Sequence, residues 1–167
     1  LRLTAAGAIL TVAWALVHFR GELLARLSGE PPRVSSLAVL PLADLSAERA
    51  EHFADGLTDA VITELARLHS LRVISRTSVQ RYKTSTATIP TIASELGVDA
   101  IIEGSVTRSG ERVRVIVQLI DGRTDTHLFA QAFERELVDV LALQRDIAAA
   151  VARETRLTLT PEERTRL

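Results

Sequence analysis

The chain has 167 residues, enough for one domain with a proper core and too few for two domains plus linkers. Charged residues make up 25% and hydrophobic residues 47%, and the formal net charge of −1 leaves no bulk electrostatic footprint for nucleic acid. There is no cysteine, which excludes a disulfide scaffold, a thiolate metal site and a cysteine nucleophile.

The first residue is Leu1 rather than Met, so the chain reads as cut from something longer. Residues 3–19, LTAAGAILTVAWALVHF, carry no Asp, Glu, Lys or Arg, and Arg2 and Arg20 bracket them. At ~1.5 Å per residue the run reaches about 25 Å, the short end of what spans a bilayer. Trp14, His18 and Phe19 suit an interface belt. A secretory signal peptide is the rival reading, but no A-x-A-like cleavage site directly follows. A buried amphipathic helix is disfavoured, because the apolar residues go all the way round. Residues 1–20 are therefore expected to be a single transmembrane anchor. The flanking arginines do not orient it by charge. Residues 21–34 form a linker, in which Gly29, Pro31 and Pro32 stop any continuing helix.

The next segment, SLAVLPL at 36–42, is a continuous apolar run and predicts a strand buried on both faces. After a polar connection, Phe53, Leu57, Val61, Leu65 and Leu68 recur at steps of three and four and predict a helix. LRVIS at 71–75 predicts a second strand, RTSVQRYKTSTAT a polar loop, and IPTIASELGVD a short helix with Gly97 as its C-terminal cap. AIIEGSV at 100–106 predicts a third strand, and SGE at 109–111 a hairpin turn.

RVRVIVQLI then alternates, with Val113, Val115, Val117 and Leu119 pointing one way. Asp121-Gly122 marks a second turn, THLFAQAFER a fifth strand, and Val140, Leu143, Ile147 and Val151 a last amphipathic helix. The expected fold is α/β to α+β: a mixed five-stranded sheet in the order β-α-β-α-β-β-β-α. Its early strands are parallel, its late ones an antiparallel meander, and helices pack on the sheet. Thr160-Pro161-Glu162-Glu163 has the form of a helix start, so residues 158–167 are expected to open a following helical region.

No catalytic motif is present: neither a phosphate-cradling G-x-x-x-x-G-K-[ST] nor G-x-G-x-x-G, G-x-S-x-G or H-E-x-x-H. The four histidines are scattered, with no partner at ligand spacing. His52, Asp55 and Asp59 could share one side of a helix and serve as an acid–base or metal cluster. The structural reading is favoured, because acidic residues in a first turn offset the helix dipole and nothing completes a site.

The segment after the second strand offers Arg76, Thr77, Ser78, Arg81 and Lys83, with Thr84 and Ser85 beside them. Guanidinium groups and hydroxyls at a strand's carboxyl end could hold an anion, although a solvated basic loop is the more ordinary account. Glu103 is a charge inside an apolar strand, and pairing with Arg112 or Arg114 across the hairpin is the simplest expectation. No metal and no cofactor is expected.

Taken in order, SLAVLPLADLS, HFADGLTDAVITELARLHSLRVISRTSVQRYK and IASELGVDAIIEGSVTRSGERVRVIVQLIDGRTDTHLFAQAFERELVDVLALQRDIAAAVA closely resemble the TolB amino-terminal-like (FlgO-like) domain of bacteria. The resemblance covers residues 35–155, within an expected domain of 35–157. Such domains commonly follow one transmembrane helix and precede tetratricopeptide repeats. A winged-helix regulator, a serine/threonine kinase or a nucleotide cyclase often lies upstream. The resemblance thus implies a single-pass inner-membrane protein with residues 21–167 outside the membrane. It also implies protein partners that include adjoining repeats, no nucleic acid bound by this segment and no catalytic residues. Homo-oligomerisation stays open. Phe129 departs from an expected tryptophan, which should change packing only.

The leading expectation is a non-catalytic extracytoplasmic interaction or sensor domain of a membrane-anchored signalling protein. An envelope assembly scaffold without cytoplasmic output ranks second. An enzyme acting on a small anionic ligand at Arg76–Lys83 ranks third, because no nucleophile or base accompanies the cations.

Overall fold

The computed structural model describes residues 34–47 and 51–155, together with 161 and 165. Residues 33–167 form one compact unit. The predicted anchor at 3–19, most of the linker and the helix start at Thr160 lie outside the described residues. Among the described residues, no helix is long and apolar enough to cross a membrane.

The unit is a mixed sheet with helices on both faces. In chain order it runs β1 (Ser36–Val39), β2 (Ala43–Asp44), α1 (Glu51–Ala66), β3 (Arg72–Val73) and α2 (Arg76–Val79). A 3-10 turn (Gln80–Tyr82), α3 (Ile89–Leu96), β4 (Ala100–Ser109), β5 (Arg112–Asp121) and β6 (Thr126–Glu136) follow. A second 3-10 turn (Leu137–Asp139) leads into α4 (Val140–Glu154). The strand order is β3-β1-β4-β5-β6, with β2 also pairing to β4. β1 lies parallel to β3 and β4, and β2 parallel to β4, whereas β4, β5 and β6 form the expected antiparallel meander.

Two expectations need correction. The sheet has six strands rather than five, because the run 36–42 does not stay regular. Val39 faces Ile102 but Ala43 faces Ser105, so one extra residue is accommodated around Pro41. Proline has no N–H to give the ladder. The next amide, Leu42 N, donates instead to the buried Thr58 Oγ1 at 3.1 Å, and that hydroxyl donates to Ala54 O at 2.8 Å. Secondly, residues 76–82 form a helical turn and a 3-10 turn rather than a loop. They contain no Gly or Pro, and Val79 and Tyr82, three apart, are both buried.

Register assigns the faces. Leu37, Val39, Ala100, Ile102, Val106, Val113, Val115, Val117, Leu119 and Phe133 share one face, and every one is buried. Helices α1 and α4 pack on each other, and α4 packs on β6, so this pair covers that face. Leu57, Val61, Leu65 and Leu68 of the first helical segment are buried as the spacing predicts, with Phe53 half-buried. In α4, Leu143, Ile147 and Val151 are buried.

Among the described residues the opposite face is covered only at its parallel end, where α3 and the segment 76–82 lie over Ala38 and Ile101. The outer face of the meander is not covered by any described element, with Ile116 at 36% exposure. Gly97 ends α3 in the left-handed conformation at φ 63, as its cap position requires. Gly104 is demanded by a close approach: a Cβ there would run into the Ile116 carbonyl oxygen and stand 3.1 Å from Leu42 Cδ2.

Candidate functional site

The two polar groups singled out in the sequence meet each other. Lys83 Nζ donates to both oxygens of Asp55, at 2.8 and 3.0 Å. Arg76 lies 3.5 Å from Asp59. Arg81 donates to Glu95 of α3 at 3.1 Å and to the Tyr82 hydroxyl at 2.5 Å, with its guanidinium 4.8 Å from the Tyr82 ring centroid. Tyr82 donates in turn to Glu95 at 2.6 Å. Burial first, and the Glu95 carboxylate second, push the Tyr82 phenol above its ordinary value.

Residues 76–83 are thus a strap pinned to α1 on one side and α3 on the other. The acidic edge of α1 and the basic segment are partners. His52 is exposed, and among the described residues no group of three His, Asp or Glu is arranged to hold a metal.

Of the five candidate anion-binding residues, Thr77, Ser78 and Arg81 line one cleft of ≈ 470 Å³ with Ile74, Glu95 and Leu96. Arg76 and Lys83 turn instead toward α1. Each of the three cations has a carboxylate within the chain.

Glu103 corrects another expectation. Its cross-strand partner is Gln118, and Arg112 and Arg114 lie 3.1 and 3.5 Å from Glu134 of β6. Among the described residues Glu103 has no hydrogen bond and no ion pair. It sits on the floor of a second cleft, of ≈ 360 Å³, between the open sheet face and α3. The odd charge in an apolar strand was the signal for this place, but not for the company it keeps.

Asp99 is a site that spacing does not reveal. Its Oδ2 accepts from Ser35 N at 3.0 Å, Ser35 Oγ at 2.7 Å, Ser36 N at 2.9 Å and Ser36 Oγ at 2.8 Å. Its own amide donates to Ser36 Oγ at 3.0 Å. Partial burial raises its carboxyl, and these four donors outweigh the burial and hold it below the ordinary carboxylate value. The role is structural: it ties the start of β1 to the start of β4.

Over residues 33–150 the chain matches the family described as HilA/YgeH-like transcriptional regulator, second domain. The chain belongs to this family. A Rhizobium meliloti (strain 1021) protein named "Putative adenylate cyclase 3" is 38% identical to it over 145 residues, 84% of this chain and 25% of that protein. The chain therefore spans about a quarter of the length of that relative.

Among solved structures, TolB from Acinetobacter baumannii matches with a TM-score of 0.54 at 16% identity, over 74% of this chain and 29% of that one. Lipoprotein GNA1162 from Neisseria meningitidis matches with 0.54 at 18% identity, over 75% and 99%. The LpoB C-terminal domain from Salmonella enterica matches with 0.51 at 15% identity, over 66% and 90%. At such identities the likeness is one of fold: the domain has a TolB- and LpoB-like fold, and its sequence kin are a regulator family and a protein named as a cyclase.

Proposed function

We propose that this domain is a non-catalytic interaction and sensor module of a membrane-anchored bacterial signalling protein, held outside the inner membrane by the anchor predicted at 3–19. One observation carries the reading. The same domain is the second domain of a family of transcriptional regulators and also a quarter of a protein named as a cyclase. A domain that recurs beside different outputs supplies something the outputs share, which is input or contact rather than their chemistry. The envelope proteins that share the fold support the extracytoplasmic location.

The side chains support the non-catalytic part. Among the described residues the strap's cations are committed to internal carboxylates. Protein partners, including repeats that follow residue 158, would read the domain through its surface. A signal would act by binding two arrangements of that linkage unequally.

The test is deletion of 34–155 from the intact protein, with the output activity followed alongside partner capture by the purified intact protein. Loss of regulated output with the basal output kept supports the module. Unchanged regulation together with no captured partner sinks it, and leaves the envelope scaffold as the better account.

A further inference from the structure

The cleft under α3 has the chemistry of a small binding site. Part of its wall is apolar: Leu40, Ile89 and Ile92 stand around it, beside Tyr82 and Ser85. Its floor carries three oxygen acceptors on one sheet face. Glu103 lies directly across from Gln118, and Ser105 follows two residues along the same strand. Opposed side chains on a sheet start about 5 Å apart, close enough for one ligand atom to reach both.

Among the described residues, none of these three side chains has a hydrogen-bond partner within the chain. Among the described residues no Lys, Arg or His lines the cleft. The two arginines further along the same face, Arg112 and Arg114, are held by Glu134. The cleft therefore carries an uncompensated negative charge beneath a partly apolar wall. Its ≈ 360 Å³ falls in the range of small-molecule sites, about 300–1,000 Å³.

We infer that this cleft binds a primary amine with a short apolar body. An ammonium has three N–H donors and no acceptor, which matches a carboxylate, an amide oxygen and a hydroxyl lining one cleft from the same sheet face. The bond to Glu103 is charge-assisted and the strongest of the three. The alkyl body lies along Leu40, Ile89 and Ile92, where it sheds its water. An anion is repelled by Glu103, and a quaternary ammonium has no N–H to give. α3 walls the cleft and is tied by Glu95 to the strap at Arg81 and Tyr82, so an occupied cleft has a direct mechanical connection to the strap. That this binding is the domain's input rests on the sensor reading above; the binding itself rests on the cleft.

The experiment is calorimetric titration of the full 167-residue chain in detergent micelles, blanked against empty micelles. The probes are 3-methylbutylamine and its anionic counterpart 4-methylpentanoate. The expected result is one-to-one binding of the amine and none of the carboxylate, with binding weakened at least tenfold in Glu103→Gln. Gln118→Leu, which leaves the charge in place, should weaken it by a smaller factor. Amide resonances of Glu103, Ser105 and Gln118 should shift with the amine.

Absence of amine binding at millimolar concentration would overturn the inference, as would equal binding by Glu103→Gln or by the carboxylate. Failure here removes the amine site and leaves the interaction module standing. Failure of the deletion experiment removes the sensing role and leaves the amine bound.

Discussion

The parallel half of the sheet and the antiparallel half use similar strands and bury them differently. In the parallel half, Ala38 and Ile101 lie under α3 and the strap while Leu37, Val39 and Ile102 lie under the opposite helix layer; all five are at most 1% exposed. In the meander, one face is sealed by Val113, Val115, Val117 and Phe133, and the other presents Arg112, Arg114, Ile116 and Gln118. Crossover connections place helices over the sheet, and hairpins do not. Among the described residues the domain therefore has a rigid, two-sided end and a one-sided end whose outer face is exposed. The amine cleft lies on the seam between them.

The largest effect that would break this contrast comes from truncating the same residue type on the same face in each half. Ile101→Ala, beneath α3, should cost about 2–5 kcal/mol in urea unfolding. Ile116→Ala, on the open face, should cost within about 0.5 kcal/mol. Equal costs would mean that the meander's outer face is covered after all.

Gly104→Ala comes next, at about 1–3 kcal/mol, because the added methyl meets the Ile116 carbonyl oxygen rather than a flexible side-chain end. Thermal melting reads it directly, and a neutral result would show that β4 and β5 separate more easily there than their pairing suggests.

Much of the contrast could be read from the sequence, and what could not has a physical reason. The alternation of Val113 to Leu119, the cap at Gly97 and the turn at Asp121-Gly122 are local signals, complete within a few residues, and each stands where the pattern puts it. The run 36–42 read as one strand, yet whether pairing breaks at Pro41 and resumes at Ala43 depends on β4, some sixty residues away. The strap's partners Asp55 and Glu95 are likewise distant in sequence, so spacing alone offered a basic loop and an acidic helix start as two unrelated features.

Glu103 is different, because the information was present. A turn between Ser109 and Arg112 pairs residues whose numbers sum to a constant, and that sets Glu103 opposite Gln118 and away from both arginines. The orphaned carboxylate could have been found by counting back from the turn, whereas the cleft over it needs Leu40, Ile89 and Ile92 from distant elements.

A smaller effect concerns the rigid end. Asp99 has a folded pKa below its unfolded value, so its contribution is present above the ordinary carboxylate pKa and is lost as pH falls through the folded value. Wild type should lose stability below about pH 4 relative to Asp99→Asn. At neutral pH that variant should be weaker by about 1 kcal/mol, since water reaches much of the carboxylate. Parallel acid curves for the two proteins would place the acid sensitivity elsewhere.

The smallest effects belong to the strap. Arg76→Ala and Lys83→Ala each remove a surface or half-exposed ion pair and should cost roughly 0.2–1 kcal/mol, less at high salt. A larger, salt-independent loss would mean that these pairs, and not only the buried Val79 and Tyr82, hold the strap in place.

The account as a whole stands on this domain facing away from the cytoplasm, and the absence of cysteine makes that directly measurable. Val138, 80% exposed, is replaced by cysteine in the intact protein, and whole cells are treated with a membrane-impermeant maleimide. Mass spectrometry then assigns any label to position 138. Labelling in intact cells is the predicted result. Labelling only after the inner membrane is permeabilised would put the domain in the cytoplasm and contradict the account.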